Sequence, residues 1–245
     1  MRNSKINILN IDFENITKNE LLLRLRDYIS ERKKTFVVTA NPEIVMYANQ
    51  DNKYQSIINS ADFVIADGIG VVIGSKVLGS PLPERIAGFD LMVELLKLGN
   101  ENGWSAYFLG SKKDVIEKAV QNIHHSFPSL QIAGWHDGYF NWEASTIPEE
   151  IREKKPDLIF VALGLPRQEK WIYENIGGFE NGLFMGVGGS FDVLSGTVKR
   201  APIVWQKLNL EWLYRLLKQP SRWKRMLALP LFMVKIFREK LRTKK

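Results

Sequence analysis

Short, almost wholly apolar runs recur between residues 36 and 187, each followed by a turn and then by a helical pattern. Phe36-Val37-Val38-Thr39, Phe63-Val64-Ile65-Ala66 and Ala106-Tyr107-Phe108-Leu109 read as strands, as do segments 130–135, 158–163 and 183–187. Continuous apolar strands are buried on both faces, and the intervening helical patterns (42–49, 69–78, 89–101, 114–127, 148–155 and 166–175) supply the crossovers that parallel pairing requires. The fold class this predicts is α/β: a Rossmann-like parallel sheet with helices on both faces. In such sheets ligands bind beyond the carboxyl ends of the strands, near a topological switch. Residues 6–13 alternate and predict an edge hairpin.

The last fifty residues break this pattern. Residues 196–245 carry fourteen Lys or Arg against two acids, Glu211 and Glu239, whereas the first 195 residues are net acidic. Helical patterns at 202–217 and 221–242 are interrupted at Gln219-Pro220, because proline disfavours helix in its predecessor. Trp223, Met226, Leu227, Leu231, Val234, Phe237 and Leu241 recur at helical spacing, accompanied by Arg222, Arg225, Lys235, Arg238 and Arg242. The chain therefore divides into an α/β core, 1–195, and a basic amphipathic helical appendage, 196–245. Such a charge asymmetry implies an anionic partner surface. The longest apolar run, 227–234, is far below the roughly 20 residues of a spanning helix, and residues 1–10 lack a signal-peptide core. The chain has no cysteine, which excludes disulfides, thiolate metal sites and cysteine nucleophiles and fits a reducing cytosol.

Polar or glycine-containing clusters follow nearly every predicted strand. They are Thr39-Ala40-Asn41-Pro42-Glu43, Ala66-Asp67-Gly68, Leu109-Gly110-Ser111, His136-Asp137-Gly138-Tyr139, Gly164-Leu165-Pro166-Arg167-Gln168-Glu169 and Gly186-Val187-Gly188-Gly189-Ser190-Phe191-Asp192. Each alone is an ordinary turn or cap signal; six at one sheet edge point to a site. Gly188-Gly189 either lets a diphosphate approach bare N–H groups or makes a tight turn. Asp137-Gly138-Tyr139 either offers a carboxylate and a ring to a nucleoside or forms a β-turn. Asp67, where an apolar strand ends, is either a general base of raised pKa or a helix N-cap. Gly68-x-Gly70-x-x-x-Gly74 has one spacer too many for a dinucleotide fingerprint. No Asp-x-Asp pair is present, and His124, His125 and His136 lack metal-ligand spacing.

Taken together these clusters resemble the WecG/TagA/CpsF glycosyltransferase family over nearly the whole chain and in the same order. Beyond the clusters at Thr39, Ala66 and Gly188, the likeness includes Pro83-Glu84-Arg85-Ile86-Ala87-Gly88, Pro166-Arg167-Gln168-Glu169-Lys170-Trp171, Lys199-Arg200-Ala201-Pro202 and Leu210-Glu211-Trp212-Leu213-Tyr214-Arg215. The resemblance implies transfer of N-acetylmannosamine from UDP-N-acetylmannosamine to the 4-hydroxyl of GlcNAc-diphosphoundecaprenol. The linkage is β-1,4 and made with inversion, and the step is an early one in wall teichoic acid synthesis. UDP-N-acetylmannosaminuronic acid and UDP-glucose are alternative donors. By the same resemblance Asp67 is the general base, Thr39 and Gln168 hold sugar or acceptor, and Arg85 touches the reacting region. Asn41, Gly110, Asp137, Tyr139, Gly188, Gly189 and Asp192 are the expected UDP-sugar contacts, with Arg215, Arg222 and Arg225 on the diphosphate.

No cofactor or metal is expected, so fixed cations must balance the leaving charge. The appendage is expected to dock on anionic lipid at the inner face of the cell membrane, or to be buried in a homo-oligomer when off it. The readings set against this are a nicotinamide-dependent oxidoreductase and a nucleic-acid-binding protein. The second is disfavoured because the tail's aromatics belong to its apolar pattern rather than to an exposed platform.

Overall fold

A computed structural model describes residues 5–220 and 223–242. The chain opens with an antiparallel hairpin, β1 (Lys5–Ile8) and β2 (Ile11–Glu14), turned by Leu9 and Asn10, both at positive φ. There follow α1 (Lys18–Ser30), β3 (Lys34–Ala40), α2 (Pro42–Ala48), α3 (Asn52–Asn59), β4 (Phe63–Ala66), α4 (Ile69–Leu78) and α5 (Gly88–Asn102). Next come β5 (Ser105–Gly110), α6 (Lys113–Ser126), β6 (Gln131–His136), α7 (Ile147–Lys154), β7 (Leu158–Ala162), α8 (Arg167–Asn175) and β8 (Gly182–Gly186). The C-terminal part comprises α9 (Ser190–Leu194), α10 (Ile203–Lys207), α11 (Glu211–Lys218), α12 (Trp223–Met226) and α13 (Ala228–Arg242).

Six strands form one parallel sheet in the order β4-β3-β8-β7-β5-β6. Successive residues of one strand feed opposite layers: Phe36, Val38 and Ala40 join one buried cluster and Val37 the other. In the same way Tyr107 and Leu109 oppose Ala106 and Phe108. This two-sided burial is why the strands read as unbroken apolar runs. One layer contains α2, α3, α4, α8 and α13, and the other α1, α5 and α6. The connections leaving β3 and β5 run in opposite directions along the sheet, which opens a crevice at their carboxyl ends.

The sequence pattern missed α1 and α3. A capping box at the start of α1, with Thr17 and Glu20 bonded reciprocally, and an Asp51 N-cap before α3 were the available signals. The predicted single helix at 202–217 is two, α10 and α11, because Asn209 adopts a left-handed backbone that ends the first. Pro230 falls in the first turn of α13, where its missing N–H costs no helical bond.

Gly68, Gly70 and Gly74 allow close helix approach. A Cβ on Gly68 would meet Pro42 at 2.6 Å, one on Gly70 would meet Leu229 at 2.6 Å, and one on Gly74 would meet Phe232 at 2.9 Å. The glycine series that resembles a dinucleotide fingerprint is thus a packing surface on α4 for α2 and α13. Phe232 and Ile236 of α13 are fully buried against it.

Candidate active site

At the carboxyl edge of the sheet lies a cleft of about 490 Å³. Its floor is built from the ends of β3, β4, β7 and β8, and its far wall from α11, α12 and the start of α13. Thr39, Asn41, Asp67, Arg85, Gln168, Gly188, Gly189, Asp192, Arg215 and Arg225, all singled out from sequence, line it together. Arg222 lies outside the described residues.

Asp67 sits one residue beyond β4. Its backbone N–H donates to the Ala40 carbonyl at 3.0 Å, and its Oδ1 accepts from the Gly88 N–H at 3.1 Å. It is not the N-cap of α4; Gly68 holds that place without a side-chain bond. Burial pushes the Asp67 carboxyl up from its ordinary value, and Glu211 adds to the rise; Arg85, the Gly88 N–H and Arg215 oppose it. The nearest cation is Arg85, with Nη2 3.9 Å from Asp67 Oδ1.

Arg85 is anchored at three points, one of them Asn209 Oδ1 at 3.4 Å from Nη1. Its Nε donates to the Asp67 carbonyl at 2.6 Å, and its Nη2 donates to Glu211 Oε2 at 2.8 Å. Glu211, buried at the start of α11, also meets Arg200 Nε at 3.4 Å, and Arg200 reaches Asp90 of α5 at 2.7 Å. Burial alone would raise the Glu211 carboxyl, but Arg85, Arg200 and Arg215 hold it below its ordinary value. The motif carrying Glu211 is legible in sequence; its contact with Arg85, 126 residues away, is not.

On the opposite wall, Gln168 is buried and turned by its neighbours. Its Oε1 accepts from the Gly188 N–H at 3.1 Å, and its Nε2 donates to Glu169 Oε1 at 2.7 Å. Gly188 has φ +50, a left-handed backbone that favours glycine, and it brings the loop after β8 into the cleft. Glu169, within the cluster after β7 but not among the expected site residues, is buried, and desolvation pushes its carboxyl up to about 7 against the Gln168 hydrogen bond. Its Oε2 and the Tyr54 hydroxyl are buried without a hydrogen-bond partner among the described residues.

Thr39 Oγ1 donates to the Gly186 carbonyl at 3.3 Å, linking β3 to β8 on the cleft floor. Asn41 caps α2, its Oδ1 accepting from the Ile44 N–H. Arg225 lies at the mouth, paired bidentately with Glu43 at 2.8 and 2.9 Å.

Three expected contacts stand outside the lining. Gly110 packs against the β7 backbone, where a Cβ would come within 2.4 Å of the Ala162 carbonyl oxygen. Asp137 accepts from the Tyr139 N–H at 2.8 Å, closing an Asx-type turn, and the Tyr139 ring is 75% exposed. Of that edge, Ser111 reaches the cleft. Among the described residues no group of three His, Asp or Glu is placed to hold a metal ion.

A parallel sheet between two helical layers, with the Asp67 carboxylate at a strand end and four arginines in a cleft at its carboxyl edge, is the architecture of a Rossmann-like glycosyltransferase. The chain belongs to the WecG/TagA/CpsF glycosyltransferase family, whose model matches residues 6–245. It is 43% identical over 211 residues to the N-acetylglucosaminyldiphosphoundecaprenol N-acetyl-beta-D-mannosaminyltransferase of Bacillus spizizenii, covering 86% of this chain and 82% of that one. It is 40% identical over 244 residues to the Staphylococcus aureus MW2 protein of the same name, covering 99% and 96%.

Proposed function

We propose that this enzyme transfers N-acetylmannosamine from UDP-N-acetylmannosamine to the 4-hydroxyl of GlcNAc-diphosphoundecaprenol. The acceptor and the transferred sugar follow the names of the similar Bacillus and Staphylococcus proteins, and UDP as its carrier is part of this reading. The observation that carries the reading is Asp67: a carboxylate at a strand end on the cleft floor, bonded by no arginine at hydrogen-bond distance, whereas Glu211 and Glu43 of the same lining are paired with Arg85 and Arg225. Asp67 Oδ2 or Oδ1 takes the proton of the acceptor hydroxyl while that oxygen attacks the anomeric carbon. The bond from that carbon to the diphosphate oxygen breaks, UDP departs, and inversion gives the β-1,4 linkage. A raised carboxyl is the stronger base for this step.

No metal takes part in this reading. The negative charge gathering on the diphosphate is met by Arg215, with Arg225 at the mouth, Arg222 close to it in the chain, and the Gly188-Gly189 backbone opposite. Fixed cations aimed at the leaving group stabilise it without reorganising.

The C-terminal segment, residues 196–245, is the membrane-docking and site-completing part in this proposal. Trp223, Leu227, Leu231, Val234, Phe237 and Leu241 are exposed on its outer side, while Arg215, Arg225 and Leu229 turn into the cleft. No helix of the described residues is long and apolar enough to cross a membrane. An exposed apolar stripe flanked by Lys and Arg instead suits the headgroup boundary of an anionic inner leaflet, where the lipid acceptor resides. Off the membrane the same stripe is available to a second copy.

The test is UDP release from UDP-N-acetylmannosamine and a short-chain lipid diphosphate–GlcNAc in the presence of EDTA. Release by the wild type with a loss of roughly 10²–10⁴-fold in Asp67→Asn is the expected result for a missing general base. Equal release by the mutant would remove Asp67 from that role, and dependence on added divalent metal would sink the metal-free mechanism.

A further inference from the structure

The distances around Arg85 are ordered in a way that the transfer step exploits. Its guanidinium lies beside two carboxylates, yet it bonds only one of them. Glu211 Oε2 is 2.8 Å from Nη2, whereas Asp67 Oδ1 is 3.9 Å from the same nitrogen. The Asp67 carbonyl, at 2.6 Å from Nε, and Asn209 Oδ1, at 3.4 Å from Nη1, occupy the remaining edges of the fork. Arg85 is thereby held next to Asp67 with its charge already shared elsewhere. Released from Glu211, the same fork could close on Asp67 as a bidentate pair, the strongest geometry open to it. A carboxylate held that way gives both oxygens to the guanidinium and is a poor acceptor for an incoming proton.

We propose that Glu211 is a positioning residue for the transfer reaction: by engaging Arg85 it keeps the Asp67 carboxylate open to the acceptor hydroxyl. This rests on the reading of Asp67 as the base. It gives the C-terminal segment a role in the chemistry besides docking, because Glu211 opens α11 and is itself locked by Arg200 to Asp90 of the body. Correct seating of α11 then sets the state of the base. The charged and polar groups facing Asp67 are Arg85 from the loop before α5, the Gly88 N–H of α5, and Glu211 and Arg215 of α11. The Glu211 carboxylate stays ionised because burial is outweighed by Arg85, Arg200 and Arg215.

The experiment is the pH profile of kcat/KM for full-length wild type, Glu211→Gln, Glu211→Asp, Arg200→Gln and Asp67→Asn, by UDP release. In Glu211→Gln a negative neighbour is lost and Arg85 moves toward Asp67, and both changes favour the ionised base. The acid limb therefore moves to lower pH, and the plateau falls roughly tenfold as the base weakens. Glu211→Asp recovers part of both changes. An unmoved acid limb in folded Glu211→Gln overturns the proposal, since loss of packing alone would lower the rate without shifting the limb. Should Glu211→Gln fail to fold, Arg200→Gln tests the idea from the other side. Without Arg200, Glu211 loses its lock to Asp90, Arg85 is released toward Asp67, and the limb again moves to lower pH, by less than in Glu211→Gln; a fixed or raised limb overturns the proposal. Activity retained in Asp67→Asn would overturn the underlying base assignment, and is distinguishable because it needs no Glu211 variant.

Discussion

The α/β body and the C-terminal segment use apolar residues in opposite ways. In the body each strand residue has a layer to enter, Phe36 one side and Val37 the other, and large exposed apolar side chains are few. Among described residues 196–242 only Ala201, Glu211, Phe232 and Ile236 are buried, and ten of the fourteen large exposed hydrophobics of the described chain lie there. A monomer rarely leaves such a stripe in water without a partner phase. The segment is thus held to the body by polar contacts, from Glu211 to Arg85, Arg225 to Glu43 and Lys240 to the Val77 carbonyl, and by an apolar one at Phe232 and Ile236. The exposed stripe through Leu231, Val234, Phe237 and Leu241 lies away from these contacts.

Truncating the apolar anchor is the most damaging change to this arrangement. Phe232→Ala empties a fully buried site against Gly74 and is expected to cost about 3–5 kcal/mol. Denaturant melts followed by tryptophan fluorescence check it. A loss under about 1 kcal/mol would mean that α13 packs on the body more loosely than its burial implies.

The buried acid of the body comes next. The folded Glu169 carboxyl, raised to about 7 from an ordinary 4.5, binds its proton more tightly than in the unfolded chain. The stability of its neutral form is fully present below pH 4.5 and is lost as pH rises through 7. The whole effect is about 3 kcal/mol, since each tenfold gain in proton affinity on folding is worth roughly 1.4 kcal/mol. Glu169→Gln, which keeps a hydrogen-bonding oxygen but cannot ionise, should flatten that slope between pH 4.5 and 7. A slope unchanged in the mutant would show that Glu169 is not its source.

These two anchors also mark how far the sequence was legible. Unbroken apolar runs gave the strands because two-sided burial imposes them, and the clusters after β3, β4, β7 and β8 meet in one cleft because parallel strands share a carboxyl edge, while the one after β6 lies outside it. The order β4-β3-β8-β7-β5-β6 was not legible, since nothing in Leu183 or Thr35 announces their pairing. In α13 the periodic stripe through Leu231, Val234 and Phe237 was legible, yet it is exposed, while Phe232 and Ile236 face the body. Periodicity locates an apolar face without saying what covers it. Asp137 and Tyr139 show the same limit: turn chemistry and nucleoside binding use the same residues, and the turn that Asp137 closes is compatible with either.

On the outer face, effects on stability should be small and effects on docking large. Replacing Leu231 and Phe237 together by serine is expected to change stability by under about 1 kcal/mol, since both are already exposed. Binding to vesicles containing anionic lipid should fall steeply, because each side chain contributes roughly 1.5–3 kcal/mol when buried in an apolar phase. Unchanged flotation with vesicles would detach the stripe from the membrane. A shift from dimer to monomer in the same mutant would assign it to self-association instead.

The smallest stability effect belongs to the pair that ties α12 to α2. Arg225 and Glu43 are 51% and 23% exposed, so a double-mutant cycle with Arg225→Gln and Glu43→Gln should give a coupling of about 0.2–1 kcal/mol. Kinetics make this pair more telling than its energy. One guanidinium fork cannot hold the Glu43 carboxylate and a substrate diphosphate at once, so the two compete for it. If Arg225 serves the diphosphate, Arg225→Gln raises KM and Glu43→Gln, which frees the fork, lowers it or leaves it unchanged. If Arg225 only fastens the segment to the body, both substitutions loosen α12 alike and raise KM together. Opposite signs would make the pair a contact that substrate displaces; equal signs would return Arg225 to the scaffold.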